Sequence, residues 1–297
     1  MTSLPTQDNS PFALDQPEAY ARWRDTKLAT HPAQVEELIV EVRDPRRLSP
    51  TEYQAILDRC RRANMAIYAS ELGDDPDKNI VRRLGEQFGL RRLDHNTGAD
   101  EDAITSIKIQ NDEVHAGYIP YTNRPIAWHT DGYYNQPDHQ IHGMLLHCVH
   151  PAAEGGDNDL LDHEIAYLLL RDSDPEYIRA LMHPHAMTIP ANRVDGVESR
   201  AEQPGPVFSV RPDGRLHMRY TDRKRNIAWR DDSLTREAVA TLKEILASNP
   251  PQHFQARLKP GWGLICNNVL HTRTGFNEGE PPRLLYRARY YDRLGGT

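Results

Sequence analysis

The sequence predicts an α+β protein with a mainly β core and helices that flank the strands or are inserted between them. Short apolar runs and period-two alternation dominate the second half of the 297 residues. Helical periodicity falls early in the chain and in a few later insertions. No internal repeat, low-complexity tract or clear linker divides the chain. One domain is therefore expected over residues 36–297, after a polar, proline-punctuated N-terminal arm at 1–35 with one short helix near 19–28.

Residues 37–42 read as a first strand. Ser49-Pro50-Thr51-Glu52 then starts a helix, with Ser as N-cap, Pro at N1 and Glu at N3 of a capping box. Tyr53, Ile56, Leu57 and Cys60 continue it as an apolar stripe. A strand at 65–69, a helix at 80–88 ended by Gly89 and a strand at 104–110 follow. Residues 141–149 read as a strand, Gly155-Gly156-Asp157-Asn158 as a turn, and 160–170 and 175–182 as helices. Pro212-Asp213-Gly214 joins strands at 207–210 and 215–220 into a hairpin. A helix at 234–246, stopped by Asn249-Pro250, precedes strands at 263–270 and 283–291.

The net charge of −7 argues against nucleic acid or an anionic membrane as the main partner. The longest conspicuous apolar stretch, 166–170, is far too short to span a bilayer. The three cysteines, Cys60, Cys148 and Cys266, have neither metal-type spacing nor an even count. The first ten residues lack a basic patch followed by an apolar run. A cytoplasmic enzyme acting on a small molecule fits these bounds.

Residues 128–132 read Trp-His-Thr-Asp-Gly. On an extended backbone His129 and Asp131 leave the same face, and an imidazole beside a carboxylate is two thirds of a facial triad for non-haem Fe(II). With 14 histidines and 25 aspartates, chance supplies about one such pair, so the pair alone decides nothing. A third ligand must come from a distant segment, and His271, at the end of an apolar strand, is the best placed. Downstream of His271 lies a strand on which Arg283, Leu285, Arg287 and Arg289 share one face, and the pairs His147/His150 and His183/His185 have no such strand after them. Guanidiniums in a row need anions among them, and arginine is suited to bidentate carboxylate binding.

His129-x-Asp131, then His271, with Arg283 twelve residues later and Arg287 four beyond, resembles the taurine dioxygenase family of Fe(II)/2-oxoglutarate-dependent dioxygenases, over roughly residues 121–291. The resemblance implies a distorted double-stranded β-helix, or jelly roll, with flanking and inserted helices. It implies that His129, Asp131 and His271 hold Fe(II), that Arg283 grips the distal carboxylate of 2-oxoglutarate, and that Arg287 contacts a substrate anion or the cosubstrate. Asn158 stands where the family has a cosubstrate-binding threonine. The implied reaction consumes 2-oxoglutarate and O2, releases succinate and CO2, and hydroxylates a small polar substrate that is anionic or amino-acid-like. Because Asp131 fills the position that related halogenases leave open for chloride, hydroxylation is favoured over halogenation. Tyr121, Asn123, Arg124, Tyr133 and Arg287 are the candidate substrate contacts, Tyr134 is either lining or packing, and His95 and Asn96 lie on a stretch that could reach the site. Residues 183–206 form a candidate lid, and the resemblance suggests a homo-oligomer. Two other readings stay open: a metal oxygenase or hydrolase on a cupin-like barrel that ignores 2-oxoglutarate, and a catalytically silent binding or sensing barrel.

Overall fold

Two β-sheets of unequal size carry the fold of the computed structural model, which describes residues 10–95, 100–110, 118–194, 197–223, 225 and 227–297. The first helix, α1 (Pro17–Thr30), is longer than the predicted stretch and packs Tyr20 and Trp23 against the core. β1 (Ile39–Val42) is followed by α2 (Pro50–Ala63) and then β2 (Met65–Ser70), which lies parallel to β1. The capping box at the start of α2 is formed: Ser49 Oγ accepts the Glu52 N–H at 3.3 Å, and the Glu52 carboxylate accepts the Ser49 N–H at 2.6 Å. α3 (Asn79–Gln87) ends before Gly89, whose φ of +77° suits the left-handed turn there.

β3 (Thr105–Ile107) is shorter than predicted; β4 (Ile126–His129) and β5 (Gly143–His150) follow. β6 (Glu154–Gly155) leads into β7 (Asn158–Leu161), α4 (His163–Ser173) and α5 (Pro175–Leu181). The helix expected from residue 160 therefore starts three residues later. Leu160 and Leu161 are buried in a strand paired on both sides, and Asp162 caps the helix by accepting the Glu164 N–H. Residues 183–206 are not a bare loop: they hold β8 (Met187–Ile189), β9 (Asn192–Val194), β10 (Val197–Arg200) and β11 (Gln203–Gly205). The predicted hairpin is present as β12 (Phe208–Val210) and β13 (Leu216–Met218), with Gly214 at φ +80°. β14 (Ala228–Trp229) precedes α6 (Ser233–Ala247), which Asp232 caps.

The C-terminal strands are β15 (Phe254–Ala256), β16 (Trp262–Cys266), β17 (Leu270–Arg273), β18 (Phe276–Asn277) and β19 (Leu284–Tyr290). The single strand predicted at 263–270 is thus two, broken at Asn267-Asn268, where Asn268 adopts φ +52°. The break moves the chain from one sheet to the other. β16 belongs to the six-stranded sheet, in the order β1-β2-β16-β5-β19-β3, and β17 to the four-stranded sheet, in the order β15-β7-β17-β4. On β19, Tyr286, Ala288 and Tyr290 face a cluster with Leu57, Val81, Leu84 and Phe88 of the helices. Leu285 instead joins Leu146, Leu160, Phe254 and Leu264, residues drawn from both sheets. The arginine face of β19 consequently looks between the sheets.

Outside that space, α1 is tied to α4 by charge. Lys27 Nζ lies 2.6 Å from carboxylate oxygens of both Asp162 and Glu164, with all three side chains buried. No helix among the described residues is long and apolar enough to cross a membrane.

Candidate metal centre

β4 and β17 pair antiparallel with His129 directly opposite His271, which brings the two rings to a centroid separation of 4.2 Å. Each ring is fixed from behind. His129 Nδ1 lies 2.9 Å from the Ala127 carbonyl oxygen, and His271 Nδ1 lies 3.0 Å from that of Val269. A ring N–H donated there leaves Nε2 with its lone pair free, the usual arrangement behind a metal-binding histidine.

Asp131 differs from the expectation of a shared strand face, because β4 ends at His129 and Asp131 sits in the turn beyond it. Its carboxylate still arrives beside the imidazole, with Oδ1 3.7 Å from His129 Nε2. One ligand atom from each of His129, Asp131 and His271 lies within 4.8 Å of the others, and this is the metal-type cluster among the described residues. Asp131 Oδ2 is buried and has no hydrogen-bond partner. A buried carboxylate oxygen left bare beside two imidazole nitrogens fits a divalent cation.

Electrostatics prepares these groups in the forms a metal needs. Burial, reinforced by neighbouring His271, pushes His129 down to about 3, and burial also lowers His271. Burial would raise the Asp131 carboxyl, but the guanidiniums of Arg287 and Arg289, followed by the two imidazoles, hold it well below the usual carboxylate range. Neutral imidazoles and an ionised carboxylate can take a metal without first losing protons.

Asn268 is a contributor that sequence reasoning missed. Its side chain accepts the Asp131 N–H at 2.8 Å and donates to the carbonyls of Asp131 at 2.9 Å and Ile141 at 2.8 Å. The residue that breaks the long strand thereby clamps the main chain of the carboxylate ligand. Two asparagines inside an apolar run were the available signal, since asparagine tolerates the left-handed conformation. Replacing Asn268 by glycine, which keeps that conformation, should weaken Mn(II) binding by about 10- to 100-fold in calorimetric titration, the usual penalty for removing a group that orients a ligand.

His129 and His271 line a cavity of about 410 Å³, part of it open to solvent, together with Asn158, Arg273, Arg283 and Arg287. Ile107, Leu146 and Leu285 supply apolar walls. Arg283 is 4% exposed, and its Nη1 is buried without a partner. Its Cζ lies 4.9 Å from the Phe276 ring centroid, and Arg273 stands at the same distance. Arg273 donates to the carbonyls of Pro120, Thr122 and Arg124 and so holds the 119–124 segment against the cavity. Asn158 lines the cavity, with its Nδ2 donating to the Thr272 carbonyl at 2.7 Å. Arg287 Nη1 reaches Asp131 Oδ1 at 3.3 Å.

The sequence-derived substrate residues are dispersed. Tyr121 and Tyr133 are buried, and the Tyr133 hydroxyl accepts from Arg223 at 2.8 Å. Asn123 and Arg124 have exposed side chains and turn their carbonyls inward, to the Phe276 N–H and to Arg273. Tyr134 does have a partner in the site wall, accepting from Arg289 Nη1 at 2.9 Å. His95 is exposed, and Asn96 lies outside the described residues. Of the alternative histidines, His147 is engaged by the Tyr68 hydroxyl at 2.9 Å, and the rings of His183 and His185 stand 6.0 Å apart with no third ligand gathered among the described residues.

Comparison with known proteins agrees with this geometry. The model of the family described as taurine catabolism dioxygenase TauD, TfdA family matches residues 25–289. A uridine-5'-phosphate dioxygenase from an Amycolatopsis species is 28% identical over 276 residues, covering 86% of this chain and 97% of the relative. Among solved structures, AAD-2 in complex with Mn(II) and N-oxalylglycine superposes with a TM-score of 0.61 at 14% identity, over 88% of this chain and 96% of that one. An asparagine oxygenase in complex with Fe(II), 3-hydroxyasparagine and succinate gives 0.57 at 16% identity, over 97% and 86%. At these identities the structural matches speak for the fold alone.

Proposed function

Since the chain belongs to the taurine catabolism dioxygenase TauD, TfdA family, we propose that it is an Fe(II)- and 2-oxoglutarate-dependent dioxygenase that hydroxylates a small anionic substrate. The reading rests above all on one cavity lined both by two imidazoles that stand beside a bare carboxylate oxygen and by an unpartnered buried guanidinium. A five-carbon 2-oxo diacid has a chelating head for the first and a carboxylate tail for the second.

The residues fit both groups. His129 and His271 would give Nε2, and Asp131 a carboxylate oxygen, leaving the metal's other positions for exchangeable ligands. When bound, iron and 2-oxoglutarate supply the oxidising chemistry with O2, releasing succinate and CO2. The chain's own work is placement. Arg283 receives the distal carboxylate, Asn158 lines the same end, and Ile107, Leu146 and Leu285 keep water from it. Arg287 holds Asp131 Oδ1 and so keeps that carboxylate ionised and oriented. In this reading the two sheets form a distorted double-stranded β-helix, residues 36–297 carry the catalytic domain, and α1 braces it.

For the substrate, the curated relatives act, by name, on uridine-5'-phosphate. They also share more sequence with this chain than the amino-acid oxygenases do. A nucleoside 5'-phosphate is therefore the substrate class proposed, with Tyr121 and Tyr133 near it. The test is succinate release with Fe(II) and 2-oxoglutarate across nucleoside 5'-phosphates and amino acids, with His271→Ala as the blank. Stimulation by a nucleotide supports the reading, and stimulation by amino acids alone contradicts it.

Arg283→Gln should weaken 2-oxoglutarate binding by about 10- to 100-fold, the worth of a buried hydrogen bond to a charged group. Anaerobic titration of the Mn(II)-loaded protein measures it.

A further inference from the structure

The arginines nearest the metal are already neutralised. Arg287 pairs with Asp131 and Arg289 with Asp94, so neither offers a free charge to a substrate anion. Arg273 is committed to main-chain carbonyls, and Arg283 faces the cosubstrate end. Two other arginines stand against Tyr133 and Tyr134, the residues two and three beyond Asp131. Arg223 donates Nη1 to the Tyr133 hydroxyl at 2.8 Å. Arg200, at the end of β10, has its Cζ 5.7 Å from the Tyr134 ring centroid and donates Nη2 to the Pro190 carbonyl at 2.7 Å. Its Nε is buried without a partner. Arg200 lies within electrostatic reach of Tyr133, Tyr134, Arg223 and Tyr118.

Neither Arg200 nor Arg223 has a carboxylate partner among the described residues. Two guanidiniums set against adjacent tyrosines, without a carboxylate partner, are suited to holding an anion. The place is also built to hold its shape. Arg219, 4% exposed, donates to the carbonyls of Tyr133, Met187 and Gln203, and so ties the turn after Asp131 to β8 and β11. Tyr134 in turn links the site wall to the outer pair, with the Arg289 guanidinium 5.8 Å and the Arg200 guanidinium 5.7 Å from its ring centroid. Tyr118, 51% exposed, adds an open aromatic face.

We propose that Arg200 and Arg223, framed by Tyr133 and Tyr134, form the phosphate subsite of a nucleoside 5'-monophosphate substrate. A phosphate monoester carries a charge of about −1.5 to −2 and three acceptor oxygens, which matches two guanidiniums. Tyr118 is placed to meet the nucleobase. The inference rests on the nucleotide reading of the substrate and adds the residues that select the phosphate.

The test uses full-length protein loaded with Mn(II) and 2-oxoglutarate, titrated calorimetrically with uridine-5'-phosphate, uridine and inorganic phosphate. Wild type should prefer the nucleotide to the nucleoside by about 100-fold. Arg200→Ala and Arg223→Ala should each lose about 10-fold of that preference, and the double variant nearly all of it, with uridine affinity unchanged. Arg211→Ala, at an arginine paired with Asp213, is the control and should keep the preference. If the double variant keeps it too, the subsite is overturned while the nucleotide reading stands. If wild type ignores the nucleotide but binds inorganic phosphate through these arginines, the nucleotide reading fails and the anion subsite survives. Binding of neither overturns both.

Discussion

Replacing Asp131 by asparagine is expected to abolish Fe(II) retention and to lower succinate formation by roughly three orders of magnitude, as suits a site whose metal supplies several kcal/mol. The substitution keeps the shape of the side chain and leaves the main-chain clamp from Asn268 intact. What changes is charge. The carboxylate is ionised because Arg287 and Arg289 outweigh its burial, and an amide in its place leaves the Arg287 guanidinium without its counter-ion beside two neutral imidazoles. That arrangement repels a cation. Metal content after dialysis and the rate of succinate release measure the two effects, and a variant that keeps both would remove Asp131 from the site.

The second large effect concerns stability. Lys27→Met should cost about 3–5 kcal/mol, because it leaves Asp162 and Glu164 buried without their counter-ion. The melting temperature should fall by about 10 °C. The pH dependence gives a sharper signature. Burial would raise both carboxyls, but Lys27 holds Asp162 and Glu164 below their ordinary values. Groups with depressed values stabilise the fold above their unfolded pKa near 4, and that contribution is lost as pH falls through the folded value. Burial would lower Lys27, but Asp162 and Glu164 outweigh it and raise its value, so its share is complete below about pH 10 and lost above the folded value. Without the lysine, the largest charge opposing burial is gone, and the carboxyls rise. The variant should therefore be most destabilised near neutral pH and recover part of the loss near pH 5, where the acids take up protons. Denaturant melts at the two pH values check this, and an equal loss at both would mean that the ion cluster does not hold α1 to α4.

What could be read from the chain was local chemistry with an unambiguous spacing. The capping box at Ser49 and Glu52 needs only four consecutive residues, and the alternation along β19 separates an arginine face from a Tyr286, Ala288, Tyr290 face without knowledge of partners. The triad was legible for the same reason, once His271 was joined to the arginine strand after it. The misreadings came where tertiary pairing overrides local pattern. Leu160 and Leu161 suit a helix or a buried strand equally, and β15 and β17 on either side decide the matter. The run from Trp262 to Arg273 looks continuous until Asn268 turns it from the large sheet into the small one. The short strands β8 to β11 carry little periodicity of their own, and the arginines they position were invisible beside Arg287 and Arg289. Only the structure shows that those two are already paired.

The central claim is that one cavity holds Fe(II) and 2-oxoglutarate together, with His129, Asp131 and His271 at one end and Arg283 at the other. Anaerobic titration of the Fe(II)-loaded protein with 2-oxoglutarate, followed by visible absorption, tests it most directly. A metal-to-ligand charge-transfer band should appear in wild type, require markedly more cosubstrate in Arg283→Gln, and be absent in His271→Ala. Fe(II) bound by the triad with no spectral response to 2-oxoglutarate would contradict the claim and leave a metal site serving some other chemistry.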